Sequence, residues 1–311
     1  MSLATLIRRT AVILLLLAGA AQWWLWQRTQ DELARLTARL IPHGELRYQH
    51  AWPFLWGGAR IWGLSFQPEG LLRVGLHAAP GAALRIRELR IRRLCLAADG
   101  TLSQIEGSAF GASLPLSSLH GIVASGPDHL PVPSPADLGE AWLQFDLDFR
   151  VRYVAPSQLA QVALTASGPL LGNLYLNTGV EGTRQVFARA PEQMLIRALT
   201  LEWADGGLLE RYKDVAAARA RLTRPAWEHA VIARLDRRAR AERWQWQDDT
   251  AAAVRQVVRR TPYLRLRLDP PGDVVLNNIR LYRMGDWPAL LGFELSTMGG
   301  FEHPLPARTW P

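Results

Sequence analysis

The side chains able to do acid–base or metal chemistry are few and scattered. Seven histidines stand at His43, His50, His77, His120, His129, His229 and His303. None forms the H-x-x-x-H or E-x-x-H pair that puts two ligands on one helical face, so no zinc site or other metal centre is expected. Ser117 lies near His120 in "SSLHG", but neighbours along a chain do not make a nucleophile and its base, and no G-x-S-x-G elbow is present. Asp146 and Asp148 are i, i+2 on one strand face and could work as a carboxylate pair. Arg150 and Arg152 continue that row, and a ladder of cross-strand ion pairs accounts for all four. "GPLLG", Gly168 to Gly172, lacks the Lys and Ser/Thr of a phosphate loop, and Cys95, the only cysteine, excludes an internal disulfide. No catalytic residue and no cofactor are expected, and the chain reads as a non-enzyme.

Composition agrees with a packed but chemically quiet chain. Of 311 residues, 49% are apolar, enough for a core. The net charge of +8 would suggest an anionic partner, yet nearly all of the basic charge is Arg, with Lys213 the only lysine. The arginines are scattered and often beside acids, as in "RIRELRIRRL", so nucleic-acid binding is not expected.

The N-terminus gives an address. Arg8 and Arg9 precede an apolar run from Thr10 to Leu25 that ends in "WWLWQR". At about 1.5 Å per helical residue, Thr10 to Trp26 spans roughly 25 Å, enough for a thin bilayer. Arg ahead of the run favours a cytoplasmic N-terminus, and Trp23, Trp24 and Trp26 suit the far interface. The rival is a cleaved signal peptide at "LAGAA". Both export the rest of the chain. We assign 1–26 to a signal-anchor transmembrane helix and 27–43 to an amphipathic extension carrying Leu33, Leu36 and Leu40.

From Glu45 the period becomes two. Alternating pieces between Pro, Gly and Asp-Gly turns fill a β-rich region, 44–206, with a Pro-rich loop near 125–139. In "WLQFDLDFRVRY", Leu143, Phe145, Leu147, Phe149, Val151 and Tyr153 share one face, so one side of an antiparallel sheet is buried and the other wet. A helical segment at 207–260 has stripes at Leu208, Tyr212, Val215, Ala216 and Leu222, at Trp227, Val231, Leu235 and Ala239, and at Ala251, Val254, Val257 and Val258. These stripes are expected to pack on the sheet. Strands return over 261–311, at "YLRLRLDP", "VVLNNIRLYRM" and "LLGFELS". The predicted fold is α+β, mostly antiparallel β: a transmembrane helix, a long curved or sandwich-like antiparallel sheet, and a helical insert near the C-terminal third. In "WPFLWGGARIWG", Gly57 and Gly58 fit a tight turn, with Trp52, Phe54, Trp56 and Trp62 closing the membrane-proximal end of the sheet. Trp52 and Trp56 join Trp23, Trp24 and Trp26 as the expected membrane-interface residues.

The anchor, its extension and "HGELRYQHAWPFLWGGARIWGLSFQP" resemble the start of AsmA-like and YdgA-like membrane-anchored envelope proteins of Gram-negative bacteria. "LEWADGGLLERYKDVAA" is similar to the strand-to-helix passage of the YdgA type, and "LWGGARI" is a weaker echo of GspN-like proteins. The resemblance implies a single-pass inner-membrane protein with a β-rich periplasmic domain. For the AsmA type it further implies an apolar groove linked to lipid traffic or envelope assembly, and it supplies no catalytic residues. Two functions are open at this point: a groove protein for lipid or another apolar ligand, and a scaffold or accessory subunit that holds an envelope partner at the membrane.

Overall fold

In the computed structural model the described residues are 19, 21–35, 37–38, 44–54, 58–69, 81–97, 102–115, 135–139, 142–183, 193–244, 248–260, 263–275, 278 and 281–297. The fold is α+β and mostly antiparallel β. A helix, α1, covers residues 21–35. Twelve strands follow: β1 (Gly44–Arg47), β2 (His50–Pro53), β3 (Ala59–Pro68), β4 (Leu84–Leu96), β5 (Leu102–Pro115), β6 (Trp142–Val154), β7 (Leu159–Gly168), β8 (Gly172–Glu181), β9 (Leu195–Ala204), β10 (Leu264–Leu268), β11 (Val274–Val275) and β12 (Phe293–Ser296). Between β9 and β10 stand α2 (Leu208–Arg219), α3 (Arg224–Ala241) and α4 (Asp248–Arg259), and the short α5 (Trp287–Leu290) precedes β12.

All twelve strands belong to one sheet in the order β1-β3-β4-β5-β6-β7-β8-β9-β10-β12, with β2 beside β3 and β11 beside β9. No second sheet forms among the described residues, so the sandwich alternative is not realised. Consecutive strands from β3 to β9 are neighbours, a meander in which short connections join β4 to β5, β6 to β7 and β7 to β8. Ile61 and Leu64 pack into the same cluster although they are three residues apart, which strict alternation forbids. Gly63 between them takes φ 61°, and Gly111 across the sheet takes φ 59°, where the β5–β6 register shifts. The bulge at Gly111 bends β5 and strengthens its twist, while the β3–β4 register runs through Gly63 without a shift.

Several expectations need correction. Among the described residues of "VVLNNIRLYRM", only Val274 and Val275 are strand, as β11, and Leu281 and Tyr282 stand exposed outside any strand; 276–277 and 279–280 lie outside the described residues. Within the Pro-rich loop, Pro135–Leu138 is a 3-10 turn with Leu138 buried, and 125–134 lies outside the described residues. Leu222 falls after the end of α2 and is exposed, because the chain turns at Arg221. No described helix is long and apolar enough to cross a membrane. Residues 1–18 of the expected anchor lie outside the described part.

α2 is fixed to the sheet by small residues. The Gly168–Gly172 turn receives it: Leu208 N–H donates to the Leu170 carbonyl at 3.1 Å, and Trp203 Nε1 donates to the Leu171 carbonyl at 2.7 Å. A Cβ on Gly206 would sit 2.5 Å from the Gly172 nitrogen, so this approach admits no side chain. α2 and α3 both end in a Schellman motif. Leu222 N–H bonds the Ala217 carbonyl and Arg221 N–H bonds Ala218, while Trp244 and Arg243 repeat the pattern on Ala239 and Arg240. The left-handed residues of these motifs are Arg221 (φ 55°) and Arg243 (φ 52°), where glycine is the usual choice. Arg221→Gly is therefore expected to stabilise the fold by about 1 kcal/mol, the order of the side-chain penalty in this conformation. A rise in the denaturant midpoint at constant slope checks it, and an unchanged or lower midpoint contradicts it.

Candidate functional site

The sheet registers assemble the site. Ala59, Ile91, Gly107, Phe149, Leu164, Leu176, Leu201, Leu266 and Leu295 are successive cross-strand partners from β3 to β12. A second row runs Ile61, Leu89, Ala109, Leu147, Ala166, Leu174, Trp203, Leu264. A third runs Leu94, Ile105, Val151, Val162, Thr178, Leu199, Leu268, Phe293. One hydroxyl interrupts three otherwise apolar rows. Nine strands at about 4.8 Å each give a band roughly 38 Å long, and three rows at two-residue spacing make it about 14 Å wide.

Among the described residues this band is covered at one end and along one margin. At its β3–β4 end Leu33 of α1 packs on Ala51 and Ile61, with Leu64, Leu89 and Ile91 around them. Along one margin Leu208, Tyr212 and Val215 of α2 pack on Leu143 and Phe145. From β6 to β12 no Leu, Val, Phe or Trp of the three rows is buried; each is half-buried. Half of the buried apolar residues among those described are alanines, and the largest fully buried side chains are Lys213, Glu202 and Thr250. The large apolar side chains thus line a face instead of filling an interior.

The opposite face is polar and closed by charge pairs. Ser108 Oγ donates to Asp148 Oδ1, Arg92 lies 3.4 Å from the same oxygen, and the Gly111 N–H donates to Asp146 at 2.7 Å. The expected ladder is present in part: Asp148 pairs with Arg92 and Arg150 pairs with Glu106 at 3.2 Å, whereas Asp146 accepts from a backbone N–H. Arg60 forks onto Glu88, which Arg90 also binds. Burial disfavours the Glu88 carboxylate, but the hydrogen bonds from Arg60 and Arg90 more than offset it, and its pKa falls below the ordinary 4.5. At Glu106 the Arg150 hydrogen bond is the leading cause of a similar fall. Glu202 is fully buried on this face, 3.5 Å from Arg265, and burial together with the Glu202 charge raises the Tyr175 phenol.

The tryptophans divide. Gln22 Nε2 donates to the Pro53 carbonyl at 2.9 Å and Tyr48 donates to Gln30 at 3.0 Å, so α1 is strapped to the β2–β3 hairpin. Trp23, Trp24, Trp26 and Trp52 are 60%, 55%, 40% and 51% exposed beside this strap. Trp56 lies outside the described residues. Trp52 and Trp62 share the polar face, where Trp52 pairs with Arg60, His50 pairs with Trp62, and the Arg60 guanidinium stands 4.9 Å from the Trp62 ring centroid. Gly58 takes φ 89° and Phe54 N–H donates to its carbonyl, which closes the ends of β2 and β3 on each other, while Gly57 lies outside the described residues.

No group of three His, Cys, Asp or Glu among the described residues could hold a metal ion. Of the histidines only His50 and His229 lie in this part, both exposed, and "SSLHG" lies outside it. Sequence reasoning missed the ion network that joins α2 to α3. Arg224 binds Glu210, Asp214 and Glu228 at 2.6–2.9 Å, and buried Lys213 binds Glu210 at 2.8 Å. The only lysine of an Arg-rich chain at a helical i, i+3 spacing from Glu210 was the available signal. No protein-family model matches the chain, and no curated protein sequence matches it.

The depressed carboxylates set a pH dependence. Their stabilisation is complete above the ordinary value of 4.5 and is lost as pH falls through the lower folded values. Glu88→Gln should lower stability at pH 7 and flatten the fall below pH 4.5, read from urea midpoints across pH. Parallel wild-type and variant curves would contradict this origin.

Proposed function

We propose that the chain is a non-enzymatic lipid-binding protein of the bacterial cell envelope, anchored in the inner membrane with its bulk in the periplasm. The observation that supports this reading is the apolar band, covered among the described residues at one end and along one margin and on the order of 500 Å² by its dimensions, a size that monomers rarely leave facing water unless it binds something. Acyl chains suit it better than a compact ligand. One leaflet's chains reach about 15 Å, half of the roughly 30 Å hydrocarbon core, and the band is long and narrow rather than a closed pocket. Its β3–β4 end lies under Leu33 of α1, the helix that carries the exposed rings of Trp23, Trp24 and Trp26. With the proposed span from Thr10 to Trp26 crossing the bilayer, those tryptophans sit at its outer interface, and the band begins next to them.

The resemblance to AsmA-like and YdgA-like proteins points the same way, toward lipid traffic or envelope assembly. Lipids extracted from the full chain purified from membranes, and measured by mass spectrometry, test the reading. Wild type should carry phospholipid or fatty acid well above a control membrane protein. Leu164→Glu/Leu176→Glu, with unchanged circular dichroism, should lose most of it, because an acyl chain laid over two carboxylates would strip them of water. Equal lipid in wild type, variant and control would overturn the proposal.

A further inference from the structure

α3 does not lie on the sheet as its stripe predicts; its packing partners are α2 and α4. The N-terminal half of the stripe is used, with Trp227 buried and Val231 and Val258 against it. The C-terminal half is not. Leu235 and Ala239 of α3 face Ala251 and Val254 of α4 across a cleft of about 710 Å³.

The mouth of this cleft is basic. Every acid of α3 and its C-terminal turn is engaged: Glu228 by Arg224, Asp236 by Arg255 at 2.9 Å, and Glu242 by Arg238 at 2.7 Å. Arg240 and Arg243 also line the cleft, and among the described residues neither has a carboxylate partner. Arg240 donates only to the carbonyl of Asp236, and Arg243 is held in the left-handed conformation at the helix end. Two guanidinium groups without counter-ions over an apolar floor complement a ligand with one chain and one anionic head. A nucleic acid fits poorly, since the Trp244 ring is already covered by Arg238 and its N–H is bound to Glu242.

We propose that the α3–α4 cleft is a second site, distinct from the band, for a detached single-chain fatty acid, with its carboxylate on Arg240 and Arg243. The full chain in membranes is exposed to a photoreactive fatty acid bearing a diazirine on its chain, and to the methyl ester of that acid. Adducts are mapped by peptide mass spectrometry. The acid should label the segment 235–255 about tenfold more than the ester, the effect of one charge-assisted contact. Arg240→Gln/Arg243→Gln should bring acid labelling down to the ester level, and Val254→Trp, which intrudes on the apolar floor of the cleft, should lower both. Leu164→Glu/Leu176→Glu should leave this labelling intact, so failure of the band and failure of the cleft are separable. Equal labelling by acid and ester, no effect of the arginine variants, or labelling of this segment by a photoreactive phospholipid but not by the acid would overturn the proposal.

Discussion

Register is the constraint on which the rest of this molecule depends. The side chains of β6 to β9 alternate with period two, so a slip of one residue would exchange Phe149 with Asp148 or Arg150 and turn the apolar rows toward the polar ladder. The short Gly168–Gly172 turn and the ion pairs of the polar face hold the register from opposite sides. The band is therefore as well defined as the sheet itself.

The energetics of a single sheet follow from that segregation. Covering a band on the order of 500 Å² contributes about 10 kcal/mol at the usual area coefficient, as much as a whole domain's net stability. Among the described residues α1 and α2 cover its β3–β4 end and one margin. The small residues Ala109, Ala160 and Ala166 are buried where strands crowd, while the large ones stay half-buried. α1 and α2 pack on the sheet and α4 meets β12, while α3 packs on α2 and α4 through the Arg224 network and the Trp227 cluster. That arrangement leaves both the band and the α3–α4 cleft available.

Much of this was legible in the sequence, for a physical reason. Strict alternation in "WLQFDLDFRVRY" reports a two-faced strand directly, and the helical period over 208–259 reports α2, α3 and α4. Partnership was not legible. Nothing in the stripe of α3 says whether Leu235 meets a sheet or a neighbouring helix, because both demand the same spacing. "VVLNNIRLYRM" reads as a strand, yet among its described residues only Val274 and Val275 pair with β9. Trp52 and Trp62 looked alike in "WPFLWGGARIWG", and alternation along β2 and β3 sends both to the face opposite the Ile61 cluster.

The central claim is that the apolar face meets lipid and the polar face does not. A photoreactive phenylalanine analogue placed at Leu176, and separately at Asn177 one residue away on the opposite face, tests it in intact cells. Mass spectrometry of the irradiated full chain should find lipid adducts at position 176 and none at position 177. Adducts at 176 to another protein or to this chain itself, or equal lipid adducts at both positions, would contradict the account.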